Sequence, residues 1–215
     1  MGYLGVDESN HGRYPEIFVG RYTTNPSDAE KNTQFSKKRS KNNIAMHALD
    51  YRFFSLTKDM GELITPRYGM VISIAEFLKF FESRGQTLEK IVVDGLMTSD
   101  QVEELNRVVY PRRLPLLVDE IQADKSYRCV NEADHIANGI FRLHDQRKDI
   151  SSDIRKRELF CDPKREYAEL VKKIAEQRMT SSDKHTREKA RRVLLGKEDS
   201  RFQITKRQIH KKLSH

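Results

Sequence analysis

The order of its apolar runs constrains this chain most. Three β-prone runs come first: Tyr3–Asp7 (YLGVD), Glu16–Thr24 (EIFVGRYTT) and Tyr51–Leu56 (YRFFSL). Helical and strand patterns then alternate. Tyr68–Arg84 carries Ile74, Phe77, Leu78 and Phe81 at the i, i+3, i+4, i+7 spacing that gathers apolar side chains on one helix face, and Gly85 follows as a C-cap. Lys90–Asp94 (KIVVD) carries a short continuous apolar run, Ile91–Val93, as fits an interior strand covered on both faces. Thr98–Val109 opens on an N-cap signal, TSDQ, and reads as a helix. Leu114–Val118 (LPLLV) reads as another buried strand. Ser126–His144 reads as a longer helix with Val130, Ala133, Ile136, Ala137, Ile140 and Phe141 on one face. An antiparallel opening followed by alternating helices and strands predicts a mixed α/β sheet with helices packed on it.

Carboxylates stand at the ends of these runs. Asp7 and Glu8 follow YLGV, Asp94 follows KIVV, Asp124 comes soon after LPLLVDEIQ, and Asp134 lies one helical stretch further on. Parallel strands bring their C-terminal ends to one edge of a sheet, which is where α/β proteins build sites. Carboxylates collected there repel one another unless a cation neutralises them. Mg²⁺ or Mn²⁺, hard and oxygen-seeking, is the expected ion, and a pair of them can stabilise the attacking and leaving oxygens of a phosphodiester. Asp119 and Glu120 are weaker candidates, since they fall close to the strand and can point away.

Charge points to a polyanion. The chain has 215 residues and a net charge of +8. From Thr180 to His215 there are eleven Lys and Arg against four Asp and Glu, a net of +7. Nucleic acid is the first expected partner of such a tail; a solvated helical tail is the bland alternative. Lys37, Lys38, Arg39 and Lys41, in the polar stretch Asn25–Asn43, form a second basic run that either tracks phosphates or is simply solvated. The chain shows no run long enough to span a membrane and no signal peptide or myristoylation pattern at its start, so a cytoplasmic location is expected. Cys129 and Cys161 fit no metal spacing and read as free thiols.

Short motifs carry a resemblance. Gly5–Gly12 (GVDESNHG) resembles the first-strand motif of type 2 ribonucleases H, Ile91–Gly95 (IVVDG) their second acidic motif, and Gln122–Arg142 their third. Asp7-Glu8-Ser9 and Ala133–Ala137 (ADHIA) also resemble a prokaryotic and phage-associated family of RNase H-like proteins of uncharacterised function. That family has an Asp-Glu-Ser-Gly start and an Ala-Asp-x-x-Ala helix. The resemblance covers roughly Tyr3–Leu143. It implies an RNase H-like domain over residues 1–148 and a metal-dependent nuclease; the helix-compatible, highly charged sequence from Asp149 onward reads as a charged, basic helical extension over 149–215. Asp7, Glu8, Asp94 and Asp134 would bind metal, with Asp124 as the alternative to Asp134. Lys125 and His11 would touch substrate. Ser9-Asn10-His11-Gly12 departs from the Gly-Arg-Gly turn that reads a ribose hydroxyl in type 2 enzymes, and their Ser-Gly-Tyr motif has no counterpart. Cleavage at RNA–DNA junctions is therefore not expected. A non-catalytic module binding nucleic acid or a protein, and a phosphotransfer or hydrolysis enzyme for a small substrate, remain as alternatives.

Overall fold

The structure, a computed structural model, describes residues 1–9, 14–32, 48–56, 66–146, 150–159, 176 and 179–194. Five strands form one sheet: β1 (Gly2–Ser9), β2 (Glu16–Thr23), β3 (Tyr51–Leu56), β4 (Leu88–Asp94) and β5 (Leu116–Glu120). Their spatial order is β3-β2-β1-β4-β5. β1 pairs antiparallel with β2, and β2 with β3, while β1–β4 and β4–β5 are parallel. This is the expected mixed sheet.

Helices cover both faces. Helix α1 (Pro66–Ser83) packs on one face, where Gly20 of β2 lets the Phe77 ring lie against its backbone and Gly69 admits Phe18 and Leu56. Helix α2 (Ser99–Val109) packs beside α1, opened by a full capping box between Thr98 and Gln101. Helix α3 (Arg128–Asp145) covers the other face. Its Ala133, Ile136, Ala137 and Ile140 form a core with Ile17, Val19, Tyr51 and Phe53. Each large apolar side chain buried there contributes roughly 1.5–3 kcal/mol. A buried ion pair between Arg21 of β2 and Glu132 of α3 (2.8 Å), with Arg128 on the other Glu132 oxygen (3.1 Å), fixes the helix along the sheet.

Two readings of the sequence change. The fifth strand begins at Leu116, not Leu114, and it is an edge strand with no fully buried residue. Pro115 has no N–H to give a ladder, so the strand starts after it. Residues Ile150–Leu159 also belong with the sheet rather than with an extension. Ile154, in the short helical turn α4 (Ser152–Arg155), joins the α3-face core, and the Leu159 amide donates to the Phe53 carbonyl at 2.7 Å.

The first compact unit comprises Met1–Lys58 and Thr65–Phe160; the second comprises Asp59–Ile64 and Cys161–His215. In the second, helix α5 (Lys184–Leu194) begins where the Asp183 carboxylate accepts from the Thr186 amide (2.7 Å) and hydroxyl (2.6 Å). Among the described residues no helix is long and apolar enough to cross a membrane.

A candidate acidic site at the sheet edge

Register decides which carboxylates meet. In β1 successive side chains alternate between faces. Gly5 lies directly under the Cys129 backbone of α3, and Val19, opposite Asp7, belongs to the α3-face core. Asp7 therefore faces α3. In the parallel pair, Gly5 stands beside Val92 and Val6 beside Val93, so the next pair in register is Asp7 and Asp94. Val92 packs with Cys129 and Val130, which puts Asp94 on the α3 face too. Close packing of α3 on Gly5 then brings in Asp134. Asp124 arrives from a 3-10 turn, Ala123–Lys125, that follows β5 through Gln122. Gln122 takes a left-handed backbone (φ 63°), an unfavourable conformation for a residue with a side chain, and the chain turns back there toward Asp94.

Asp94 has a second task. Its carboxylate accepts from the Ala123 amide at 2.6 Å, and the amides of Asp124 and Gly95 also donate to it. It thereby pins the turn carrying Asp124 and Lys125 to the end of β4. Asp134 accepts from the Asn138 side-chain amide, one helical turn on, at 2.5 Å. Asn138 escaped the sequence reading, although an Asp/Asn pair at i, i+4 is a recognisable signal. Ser9 is the last residue of β1, buried on the face of Asp7, and its hydroxyl has no hydrogen-bond partner among the described residues.

Electrostatics ties these groups together. Asp7 is only 4% exposed. Burial, and then the charges of Asp94, Asp134 and Asp124, push its carboxyl well above the ordinary range, against a single favourable bond from the Glu8 amide. Burial raises Asp94, with Asp124 adding to it and the three amides opposing. Burial also raises Asp134; His135 opposes, and Asp124 and Asp94 reinforce. Among the described residues none of these four carboxylates is ion-paired with Lys or Arg. Excess negative charge, desolvated and uncompensated, is what a hard divalent cation relieves, so the donor chemistry fits Mg²⁺ or Mn²⁺. Among the described residues, however, no three of the His, Cys, Asp and Glu side chains are already gathered into a group that could hold an ion.

Other expected residues fall elsewhere. Glu8 pairs with Phe18, whose ring meets Gly69 of α1, so alternation puts Glu8 on the face opposite Asp7. Asp119 accepts from the Met97 amide at 2.8 Å, and Glu120 pairs with Lys31 (2.5 Å) and the Tyr127 hydroxyl (3.2 Å). Both are thus occupied in holding loops. Lys125 is half-buried in the turn beside Asp124. His11, the Lys37–Lys41 run and Cys161 lie outside the described residues. Cys129 is a buried thiol, its pKa pushed up to about 12 by burial, and it is not poised for chemistry.

The fold is the RNase H-like α/β class: a five-stranded mixed sheet opening with three antiparallel strands. The chain is similar to Bst-RNase HIII in complex with Mn²⁺, with a TM-score of 0.51 and 14% identity over 73% of this chain and 60% of that one. It is similar to a mutant form of Bst-RNase HIII at the same TM-score and 13% identity, over 91% of this chain and 70% of that one. The ribonuclease H2 from Pyrococcus horikoshii OT3 superimposes with a TM-score of 0.45 and 18% identity, over 90% of this chain and 97% of that one. At such identities the likeness to the two Bst-RNase HIII structures shows the fold alone. No protein-family model matches the sequence, and no curated protein does either.

Proposed function

We propose that this protein is a divalent-metal-dependent nuclease, hydrolysing phosphodiesters of nucleic acid at the C-terminal edge of β1 and β4. The observation that carries the reading is the register of β1 against β4, which sets Asp7 beside Asp94 on the face where Asp134 and Asp124 add their charge. Asp7, Asp94 and Asp134 would hold the metal, with Asp124 as the alternative to Asp134; Glu8, on the opposite face of β1, is not part of the set. Mg²⁺ or Mn²⁺, when bound, supplies Lewis acidity to the attacking and leaving oxygens. Asp94 keeps the Ala123–Lys125 turn against the edge, and Lys125 approaches the scissile phosphate from it. Asn138 orients the Asp134 carboxylate. The basic stretch Thr180–His215 adds affinity for the polyanion that does not depend on sequence.

The test uses the full chain with Mg²⁺ or Mn²⁺ and a panel of DNA, RNA and hybrid substrates. We expect cleavage that EDTA abolishes and that Asp7→Asn or Asp94→Asn reduces by at least about tenfold, the least that loss of even an outer-shell partner of a metal site costs. Cleavage that persists in both variants rejects the site. One observation favours a second reading, a nucleic-acid-binding module without catalysis: no group of three potential ligands is preassembled among the described residues. Binding without cleavage, unchanged by Asp94→Asn, supports that reading.

A further inference from the structure

Away from the carboxylates, two arginines share one aromatic ring. The Arg52 guanidinium of β3 lies 4.2 Å from the centre of the Phe80 ring, and that of Arg84, just past the end of α1, lies 5.6 Å from the same centre. Arg52 stands opposite Gly20, which stands opposite Val6, so the cluster lies two strands from β1, roughly 10 Å, in the row before Asp7. It is on the α1 face, opposite to Asp7.

This pair is short of anionic partners. Asp50 approaches Arg52 at 3.6 Å, and one Arg52 nitrogen donates to the Tyr51 carbonyl at 2.6 Å, but its Nε is buried without a partner among the described residues. Arg84 is exposed and forms no ion pair among the described residues. Burial, and the neighbouring charges of Arg84 and Arg157, hold the Arg52 guanidinium below its usual range, with Asp50 opposing. The buried Arg52 Nε does not reach an outside ligand; two guanidinium charges held on one ring, with the exposed Arg84 donors carrying no ion pair among the described residues, attract an oxyanion. Guanidinium donors match phosphate oxygens in pairs.

We infer that Arg52 and Arg84, seated on Phe80, form an auxiliary phosphate site that grips the backbone of a polynucleotide beyond the carboxylate edge. The inference rests on the nucleic-acid reading above. Since the two sites lie on opposite faces, a bound strand rounds the end of the sheet between them.

Binding of a fluorescent single-stranded 20-mer oligonucleotide to the full chain, in EDTA and across a KCl series, tests this without any cleavage. We expect Arg84→Gln to weaken binding about fivefold near 0.1 M salt and to lower the slope of log affinity against log salt by about 0.7, the signature of one lost phosphate contact on a single strand. Arg52→Gln should act in the same direction; it is half-buried, so its far-ultraviolet circular dichroism must match the parent before its affinity is compared. Arg113→Gln removes an equal charge from an exposed position before β5 and should leave the slope unchanged. Equal effects of Arg84→Gln and Arg113→Gln, or none from Arg84→Gln, overturn the site. If the parent chain itself fails to bind, the nucleic-acid reading falls with it.

Discussion

Asp7 is a residue whose charge the fold resists. A carboxyl raised in the folded state and ordinary in the unfolded chain, near about 3.9, binds its proton more tightly when folded. Linkage then fixes the sign: its contribution favours folding at low pH, is lost as pH rises through the folded value, and stays lost above it. Asp7→Asn removes that penalty while keeping shape. In EDTA at pH 7.5 we expect the variant to melt about 2–4 °C above the parent, as roughly 1 kcal/mol does in a domain of this size, with the gap closing toward pH 4. Mn²⁺ should raise the parent's Tm and leave the variant's nearly unmoved. A parent that melts higher than Asp7→Asn in EDTA at neutral pH contradicts this picture. The positions of Asp7, Asp94 and Asp134 could be read from the chain because each follows an apolar run or lies on a helix of visible period. The hydrogen bonds that Asp94 accepts from the Ala123 and Asp124 amides could not, since those partners are about thirty residues away and only folding brings them together.

Among the elements, α3 depends most on one missing side chain. A Cβ at Gly5 would sit 2.4 Å from the Cys129 carbonyl carbon and 2.6 Å from the Val130 nitrogen, both backbone atoms that cannot swing aside. Gly5→Ala must lift the start of α3 off β1. We expect it to destabilise the protein by roughly 1–3 kcal/mol, as overpacking does, and to lower cleavage by more than the loss of folded protein accounts for, because Asp134 rides on the displaced helix. Chemical denaturation beside a turnover assay separates the two effects; normal stability and normal turnover would show that the contact relaxes freely. The elements also mark where sequence pattern carries and where it stops. Tyr51–Leu56 is the β3 found in the structure, and TSDQ announced the α2 cap, because local propensity decides both. Leu114–Val118 looked like an interior strand from its apolar content alone. Whether a strand sits at the centre or the edge depends on which neighbours pair with it, and nothing local in LPLLV records that.

At the scale of the whole molecule, charge is segregated. Carboxylates without a Lys or Arg ion pair among the described residues gather at one edge of the sheet, while the excess of positive charge falls in Thr180–His215, and Arg52 and Arg84 share one ring. On the proposed reading a polyanion would be drawn by the basic regions and repelled by the site until a divalent ion entered it. Raising KCl from 50 to 200 mM should weaken polynucleotide binding in EDTA by at least about tenfold, since release of condensed counterions drives such association. Equilibrium titrations at several salt concentrations measure this, and salt-independent affinity would show that charge is not the attractant.

The pairing of β1 with β4 has a consequence in time. Asp7 is made well before its neighbour in register, which comes from more than eighty residues later, and Asp134 later still. A chain emerging from the ribosome carries Asp7 long before any partner exists, and a fragment ending before α3 cannot assemble the acidic edge. Domains fold as units during synthesis, and non-local strand pairing is slow. The proposed hydrolytic capacity would thus be withheld from every incomplete copy and acquired only once the sheet has closed around its central strand.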